Sequence, residues 1–253
     1  LRLSKELGVQ SVRVEYSPNN KSADDQAVQL AKENGLQLVF IIPFGPNDIF
    51  SDKNLYSNAH KYVSDIVGQY VGKVPVWQLA TEVASVALID GGHHGVDRVD
   101  YPESKYQAVA TWLKAASKAV KESDPSARRL INDQWVHVGF FDRFIAEGGD
   151  FDMLGWNWFS DMGTDMNRAV LNSKTKQTYK LLSKLKEYKK DIWITESNRR
   201  LGSHDGNDKA QADYIQTMAE KAYGDEAIKG YFVFNLVEDQ QAPAAEKGYG
   251  LVN

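Results

Sequence analysis

The sequence predicts an α/β protein of the (β/α)8 or TIM-barrel class, in which parallel strands alternate with helices. Three observations predict this class. Apolar segments of strand length alternate with amphipathic segments of helix length along the chain. The strand candidates are too continuously apolar for a sheet with one face in water, which indicates buried parallel strands. No linker or low-complexity tract interrupts the pattern, so we expect a single domain over residues 1–253.

The strands are predicted from runs that are rich in β-branched and aromatic residues. Seven runs qualify: Ser11–Tyr16, Gln37–Pro43, Val74–Leu79, Arg129–Asp133, Phe151–Trp156, Asp191–Thr195 and Gly230–Phe234. Because seven or eight strands alternate strictly with helices, a closed barrel is favoured over an open doubly wound sheet.

The helices are predicted from apolar residues at helical spacing between these strands. The candidates are Ser22–Asn34, Asn54–Val71, Ser104–Glu122, Ser173–Lys189 and Asp208–Tyr223. Glycine follows three of them, at positions 35, 72 and 224, which is typical of helix C-termini.

Composition limits the partners of the protein. The chain has 30 basic and 34 acidic residues spread along its length, so no basic stripe predicts nucleic acid as a partner. No apolar run approaches the roughly 18 residues that cross a bilayer, so no membrane span is predicted. The absence of cysteine excludes disulfides and is compatible with export. We expect a monomer with an extracellular or periplasmic location.

No cofactor and no metal site are predicted. The glycine-containing segment 90–95 has neither Rossmann nor P-loop spacing, so a nucleotide enzyme is disfavoured. His93 and His94 are adjacent, and no carboxylate follows them at helical spacing, which does not fit a metal site. The chain also has no cysteine that could serve as a thiolate ligand.

Two glutamates follow strand candidates in the same way. Glu82 comes after the segment Trp77–Thr81 and Glu196 after Ile192–Thr195, and small or polar residues come next in both cases. A parallel barrel gathers the C-terminal ends of its strands at one rim, where distant residues of the chain can meet. Two carboxylates that face each other across a cleft can cleave a glycosidic bond, one as acid/base and one as nucleophile.

The chain resembles clan A of the retaining (β/α)8 glycoside hydrolases, in which the acid/base ends the fourth strand and the nucleophile ends the seventh. The resemblance covers essentially the whole chain. It rests on Val12-Arg13-Val14, on Trp77-Gln78-Leu79 leading to Glu82, on Ile194-Thr195-Glu196, on Phe232-Val233-Phe234 and on Gly248-Tyr249-Gly250-Leu251-Val252.

The resemblance implies an enzyme that hydrolyses a β-linked oligo- or polysaccharide with retention, by double displacement. It implies Glu82 as the general acid/base and Glu196 as the nucleophile. Arg13 would be the cation that keeps Glu196 ionised.

Three positions depart from the family pattern. Thr81 precedes the acid/base, where the family normally has an asparagine that donates to the sugar 2-hydroxyl. In the stretch Gly155–Phe159, where the family often has histidine and then tyrosine, Asn157 can donate a hydrogen bond and Phe159 cannot. The tryptophan that commonly lines the sugar site from the eighth strand is not evident, with Phe234, Asn235 and Glu238 near its place.

Substrate contacts are predicted for side chains at or beyond strand ends. Besides Arg13, Thr81 and Asn157, these are Trp135 and Trp158 as sugar-stacking rings and His137, while Asn132 and Asp133 are candidates to bond a sugar hydroxyl. Trp77 and Trp193 lie inside strands, which favours core packing.

Two other functions stay open. A non-catalytic carbohydrate-binding protein on a degenerate barrel would keep both glutamates after losing the asparagine and tyrosine partners, and turnover distinguishes it from an enzyme. A barrel isomerase or aldolase would require a Schiff-base lysine or metal-binding carboxylates at strand ends, and no strand candidate ends in lysine.

Counted against the family's barrel, the chain as given lacks strand one and the last helix. The segment 1–8 would be helix one, and the Arg13 strand would be strand two. We therefore expect a longer parent chain, or a barrel that is open between the Arg13 and Phe232 strands.

Overall fold

A computed structural model describes residues 2–89, 93–200, 202–203, 205, 207–237 and 248–252. No helix in this described part of the chain is long and apolar enough to cross a membrane. The strands are β1 Ser11–Glu15, β2 Gln37–Ile42, β3 Val76–Leu79, β4 Arg128–Gln134, β5 Met153–Asn157, β6 Ala169–Asn172, β7 Gln177–Tyr179, β8 Asp191–Ser197 and β9 Ile228–Val233. The helices are α1 Arg2–Glu6, α2 Lys21–Asn34, α3 Leu55–Val67, α4 Val83–Ala87, α5 Glu103–Ser123, α6 Val138–Ala146, α7 Leu181–Glu187 and α8 Asp208–Tyr223.

The main sheet contains seven strands in the order β1-β2-β3-β4-β5-β8-β9, which follows the chain. The pairings of β1 with β2, β2 with β3, β3 with β4, and β8 with β9 are parallel. The seven predicted strands and the α/β class are thereby confirmed.

The chain divides into two compact units, which we describe separately. Unit 1 comprises Leu1–Asp133 and His137–Met153, and unit 2 comprises Gln134–Val136 and Leu154–Asn253. The prediction of one domain over residues 1–253 stays a prediction.

Unit 1 is built around the buried faces of β2 and β3. Trp77 is fully buried, and its ring stacks on Phe40 with the ring centroids 5.6 Å apart. These two residues are also register partners across the two strands. The predicted core role of Trp77 is confirmed.

The ends of α2 follow local sequence signals. The Asn20 side chain accepts a hydrogen bond from the Ala23 N–H, which caps the first turn. Gly35 adopts a left-handed conformation, with φ 66°, and its N–H bonds carbonyls of the last turn. By contrast, α3 ends at Val67 rather than at the predicted Val71, because turns occupy the residues up to Gly72, whose φ is 68°.

Unit 2 contains the parallel pair β8 and β9. Trp193 of β8 is 6% exposed, and Gly230 of β9 is its register partner. A Cβ atom at Gly230 would lie 2.9 Å from the indole, so only glycine leaves room for the ring. The predicted core role of Trp193 is confirmed.

The prediction of a single helix over Ser173–Lys189 is wrong. Strands β6 and β7 form a separate antiparallel hairpin, and only Leu181–Glu187 is helical. The Asn172 side chain accepts hydrogen bonds from the N–H groups of Lys174 and Thr175, and this local turn competes with helix formation.

Two helices, α4 and α6, were also not predicted, because α4 is only five residues long and α6 begins directly after a turn.

Candidate active site

Glu82 lies just after the C-terminal end of β3, in an unusual backbone conformation. Both Ala80 and Glu82 have left-handed backbones, with φ values of 59° and 51°. Residues with a Cβ atom rarely adopt this conformation, and such residues cluster at functional sites. Glu82 is half-buried and immediately precedes α4. The chain therefore turns sharply at the predicted acid/base.

Gln78 connects Arg13 to the turn that contains Thr81. Arg13 Nε–H donates to Gln78 Oε1 over 2.7 Å. Gln78 Nε2–H donates to the Ala80 carbonyl over 2.8 Å and lies 3.2 Å from Thr81 Oγ1. Gln78 itself is fully buried. One side chain thus fixes the relative position of two residues that were predicted to contact substrate.

The end of β4 holds the turn from the neighbouring strand. Asn132 Oδ1 accepts a hydrogen bond from the Glu82 N–H over 2.8 Å. The Asp133 carboxylate accepts from the N–H groups of Ala84 and Ser85, in the first turn of α4. Both β4 side chains are fully buried. Asn132 thus binds the backbone of the Glu82 turn, and Asp133 binds both backbone N–H groups and the side chains of Ser85 and His137.

His137 packs behind Asp133. Its Nδ1 lies 2.7 Å from Asp133 Oδ1 and 3.1 Å from Ser85 Oγ, and the residue is 6% exposed. Because a carboxylate only accepts hydrogen bonds, Nδ1 is the protonated ring nitrogen. Gly95 lies against this ring, since a Cβ atom there would be 2.5 Å from His137 Cδ2. The predicted contact between His137 and substrate stays a prediction.

The loop before α5 is organised by a buried carboxylate, Asp100. It accepts hydrogen bonds from the N–H groups of Gly95 and Asp97, and its Oδ1 lies 2.8 Å from His93 Nδ1. Burial alone would raise the pKa of Asp100, but these donors outweigh burial and lower it. His93 therefore has a structural partner in this loop.

Glu196 lies near the C-terminal end of β8 in unit 2. It is half-buried, whereas Thr195 and Ser197 on either side of it are buried. Its carbonyl accepts a hydrogen bond from the Trp158 N–H over 2.8 Å. The strand continues to Ser197, two residues beyond the predicted end. The predicted nucleophile is thus part of the strand rather than of the loop after it.

Asn157 ends β5 next to the Glu196 strand. It is fully buried, and its Oδ1 accepts a hydrogen bond from Thr195 Oγ1 over 2.9 Å. This bond uses the oxygen of the side-chain amide. The predicted contact between Asn157 and substrate stays a prediction.

Two tryptophans stack on each other in unit 2, and a third is hydrogen-bonded to one of them. The rings of Trp135 and Trp158 are nearly parallel, at 17°, with centroids 6.0 Å apart. Trp156 Nε1–H donates to the Trp135 carbonyl, and Trp158 Nε1–H donates to the Gly163 carbonyl. Trp158 is fully buried, whereas Trp135 is half-buried. Trp156 is also fully buried. The predicted contacts of Trp135 and Trp158 with substrate stay predictions.

Phe234, which follows β9 near the place where the family's tryptophan was sought, belongs to an aromatic cluster. Phe159, Phe234 and Tyr249 form a cluster with centroid distances of 5.6–6.2 Å. Asn198, the residue after β8, donates its Nδ2–H groups to the carbonyls of Phe234 and Tyr249. These bonds connect the end of β8 to the cluster. Glu238, the other residue considered for this place, lies outside the described residues.

Sequence reasoning missed the residues that support the site. No function was predicted for Gln78, Ser85 or Asn198. Each of them nevertheless makes a hydrogen bond to a segment next to a predicted site residue. Gln78 had one visible signal, because it is a polar residue inside an otherwise apolar strand. The partners of Ser85 and Asn198 are distant in sequence, so local patterns could not identify them.

Residues 104–249 match a family model described as the glycosyl hydrolase catalytic core, which is more than half of the chain. The matched segment includes Glu196 and begins after Glu82. No curated protein matches the chain.

Solved structures of a β-glucosidase from Thermotoga maritima are similar to this chain. The complex with N-octyl-5-deoxy-6-oxa-N-(thio)carbamoylcalystegine has a TM-score of 0.68 at 15% identity, and the complex with glucoimidazole has 0.68 at 17%. The complex with cyclophellitol has 0.67 at 15%. Each alignment covers 98% of this chain and 78% of the other. The likeness confirms the predicted barrel fold.

Proposed function

Since the chain belongs to the glycosyl hydrolase catalytic core family and is a glycoside hydrolase, we propose that it cleaves β-linked glycosides with retention, through Glu82 as acid/base and Glu196 as nucleophile. The observation that carries the proposal is that two half-buried glutamates lie at the C-terminal ends of strands. One lies just beyond the end of β3, and the other lies near the end of β8. In barrel enzymes, polar residues at the C-terminal ends of strands carry the chemistry.

The proposed reaction has two displacement steps. In the first, the Glu196 carboxylate attacks the anomeric carbon while the Glu82 carboxyl donates its proton to the departing glycosidic oxygen. This breaks the glycosidic bond and leaves a covalent glycosyl ester on Glu196. In the second, Glu82 takes a proton from water, the water oxygen attacks the anomeric carbon, and Glu196 leaves. Two inversions give net retention.

Arg13 and Thr81 have supporting roles in this proposal. The Arg13 guanidinium supplies positive charge to the site in this proposal. The Thr81 hydroxyl donates to a sugar hydroxyl next to the reacting carbon. The Gln78 bonds described above support both roles, because they keep the two side chains in a fixed relation.

β-Glucosides are the first substrates to test, because the similar solved structures are those of a β-glucosidase. A natural oligo- or polysaccharide substrate, a location outside the cytoplasm and a monomeric state stay predictions. Assays on a panel of β-glycans, cell fractionation and light scattering test these three points in turn.

Variants of the two glutamates test the proposed roles. Glu196→Ala should abolish turnover, and azide should restore part of it by forming a glycosyl azide of inverted configuration. Glu82→Ala should reduce kcat/KM about 10²- to 10⁴-fold on substrates with poor leaving groups and leave kcat/KM on a dinitrophenyl glycoside nearly unchanged, because kcat/KM reports the first step. Glu187→Gln, an exposed position on α7, is the matched control and should match the wild type.

Equal loss on every substrate, without rescue by azide, would contradict these roles. Binding of a glycan without any turnover by the wild type would instead identify a non-catalytic carbohydrate-binding protein. Product anomers followed by NMR distinguish retention from inversion in the same assay.

A further inference from the structure

We propose that Asn132 and Asp133, at the end of β4, are positioning residues that hold the Glu82 backbone in the conformation required for proton transfer. The inference rests on the proposed role of Glu82 as acid/base. Neither residue is assigned a direct contact with substrate. The proposal replaces the sequence-based expectation that their side chains bond a sugar hydroxyl.

The Glu82 turn requires an external support. Ala80 and Glu82 both have left-handed backbones, and neither is a glycine. Such a conformation persists only where surrounding contacts over-determine it. Helix α4 is only five residues long and cannot supply this stability alone. The support therefore comes from another element.

Asn132 acts on Glu82 itself. Its Oδ1 accepts the Glu82 N–H over 2.8 Å. The amide is fully buried, so water does not compete for the bond. The bond is made at the backbone of the predicted acid/base. Its loss would therefore move the Glu82 Cα atom and, with it, the carboxyl group.

Asp133 acts on the residues that follow. Its carboxylate accepts the N–H groups of Ala84 and Ser85, and hydrogen bonds to a charged acceptor are the stronger kind. Ser85 Oγ also lies 3.3 Å from Asp133 Oδ1. The two β4 side chains thus hold the chain on both sides of the Glu82 Cα atom.

Residues behind Asp133 keep its side chain in place. His137 lies 2.7 Å from Asp133 Oδ1, and Gly95 packs on the His137 ring. The Gly95 carbonyl in turn accepts hydrogen bonds from Tyr101 Oη and from the Gly139 N–H. The support therefore extends from α4 through β4 to the loop before α5, and every member named is in unit 1.

The test compares losses of activity on a good and a poor leaving group. Asn132→Leu removes the acceptor at nearly constant volume. We expect kcat/KM to fall about 10- to 100-fold on a phenyl glycoside, and about 3-fold or less on a dinitrophenyl glycoside, because a misplaced acid matters only where protonation is needed. Asp133→Leu should show the same pattern, and Asp133→Asn, which keeps an acceptor oxygen, should recover most of the loss.

Asp152→Asn is the matched control. It weakens a charged network at the other end of β4, where Asp152 bonds Arg129. We expect this variant to lose thermal stability without any dependence on the leaving group. If Asn132→Leu does not fold, Asn132→Ser carries the same test, because its hydroxyl is too short to reach the Glu82 N–H.

Glu82→Gln separates the failure of this inference from failure of the proposed function. If its losses do not depend on the leaving group, Glu82 is not the acid/base, and the proposed function fails. If Glu82→Gln shows the dependence and the Asn132 variant loses activity equally on both substrates, the positioning role is overturned and the proposed function stands.

Discussion

At the residue scale, the site combines side chains predicted to meet substrate with side chains that only hold them. Thr81 belongs to the first group and Gln78 to the second. Because Gln78 Nε2 is 3.2 Å from Thr81 Oγ1 and can only donate, the Thr81 hydroxyl hydrogen is directed to another acceptor. A sugar hydroxyl next to the reacting carbon is the acceptor that the proposed function supplies.

Thr81→Val tests this contact at nearly constant shape. A neutral hydrogen bond contributes about 0.5–1.5 kcal/mol, so we expect kcat to fall about 2- to 13-fold. KM should change less, because the contact strengthens in the transition state. Steady-state kinetics on an aryl β-glucoside measure both constants. Thr178→Val, on an exposed strand, is the control, and a change confined to KM would contradict the role.

The sequence was sufficient to find the glutamates but not their supports. Glu82 and Glu196 each follow a short apolar run, and such a run is visible in a single window of the sequence. The hydrogen bonds between Glu82 and Asn132 and between Asn198 and Phe234 join residues that are far apart in the chain. Such bonds depend on which strands become neighbours, and no local pattern records that.

At the element scale, β4 has different tasks at its two ends. At its C-terminal end, Asn132 and Asp133 accept hydrogen bonds from the Glu82 turn. Near its N-terminal end, the Arg129 guanidinium makes two hydrogen bonds to Asp152, of 2.7 and 2.8 Å, and two to Asp150, of 2.7 and 3.2 Å. Hydrogen bonds from Arg129 lower the pKa of Asp150. Burial would raise the pKa of Asp152, but bonds from Arg129 outweigh it and lower the pKa.

These pKa shifts predict how stability depends on pH. An unfolded aspartate has a pKa of about 3.9, and both folded values are lower, so the stabilisation by these aspartates is complete above about pH 5. It is lost as the pH falls through the folded values. Arg129→Met should lower the free energy of unfolding by about 2–3 kcal/mol at pH 7, since it removes charged hydrogen bonds. The variant should also lose less further stability on acidification than the wild type.

Urea unfolding between pH 3 and 7 measures both effects. Lys121→Met is the matched control, because Lys121 also bonds Asp150 but is mostly exposed, and exposed pairs contribute little. Equal acid sensitivity in Arg129→Met and the wild type would show that these aspartates do not account for the pH dependence.

Elements were predicted well where their signals are local and strong. Helix α2 has an asparagine cap and a left-handed glycine at its end, and its predicted bounds differ from the observed ones by one residue. The segment 173–189 also contains good helix formers, yet β7 pairs with β6 there. Pairing between strands overrides helix propensity, and propensity alone does not reveal it.

At the scale of the whole molecule, the fold class was predictable because strands and helices alternate along the entire chain. The sheet order and the likeness to a β-glucosidase agree with that pattern. At 15–17% identity the likeness establishes the fold, and the chemistry has to be tested on this chain's own residues.

The covalent intermediate on Glu196 is the central claim, and trapping it is the most direct test. A dinitrophenyl 2-deoxy-2-fluoro-β-glucoside has a good leaving group for the first step, while its fluorine slows the second. After incubation with the wild type and digestion with trypsin, mass spectrometry should find one glycosyl adduct on the peptide 191–199, located at Glu196. An adduct on another carboxylate, or turnover with inversion and no adduct, would contradict the account.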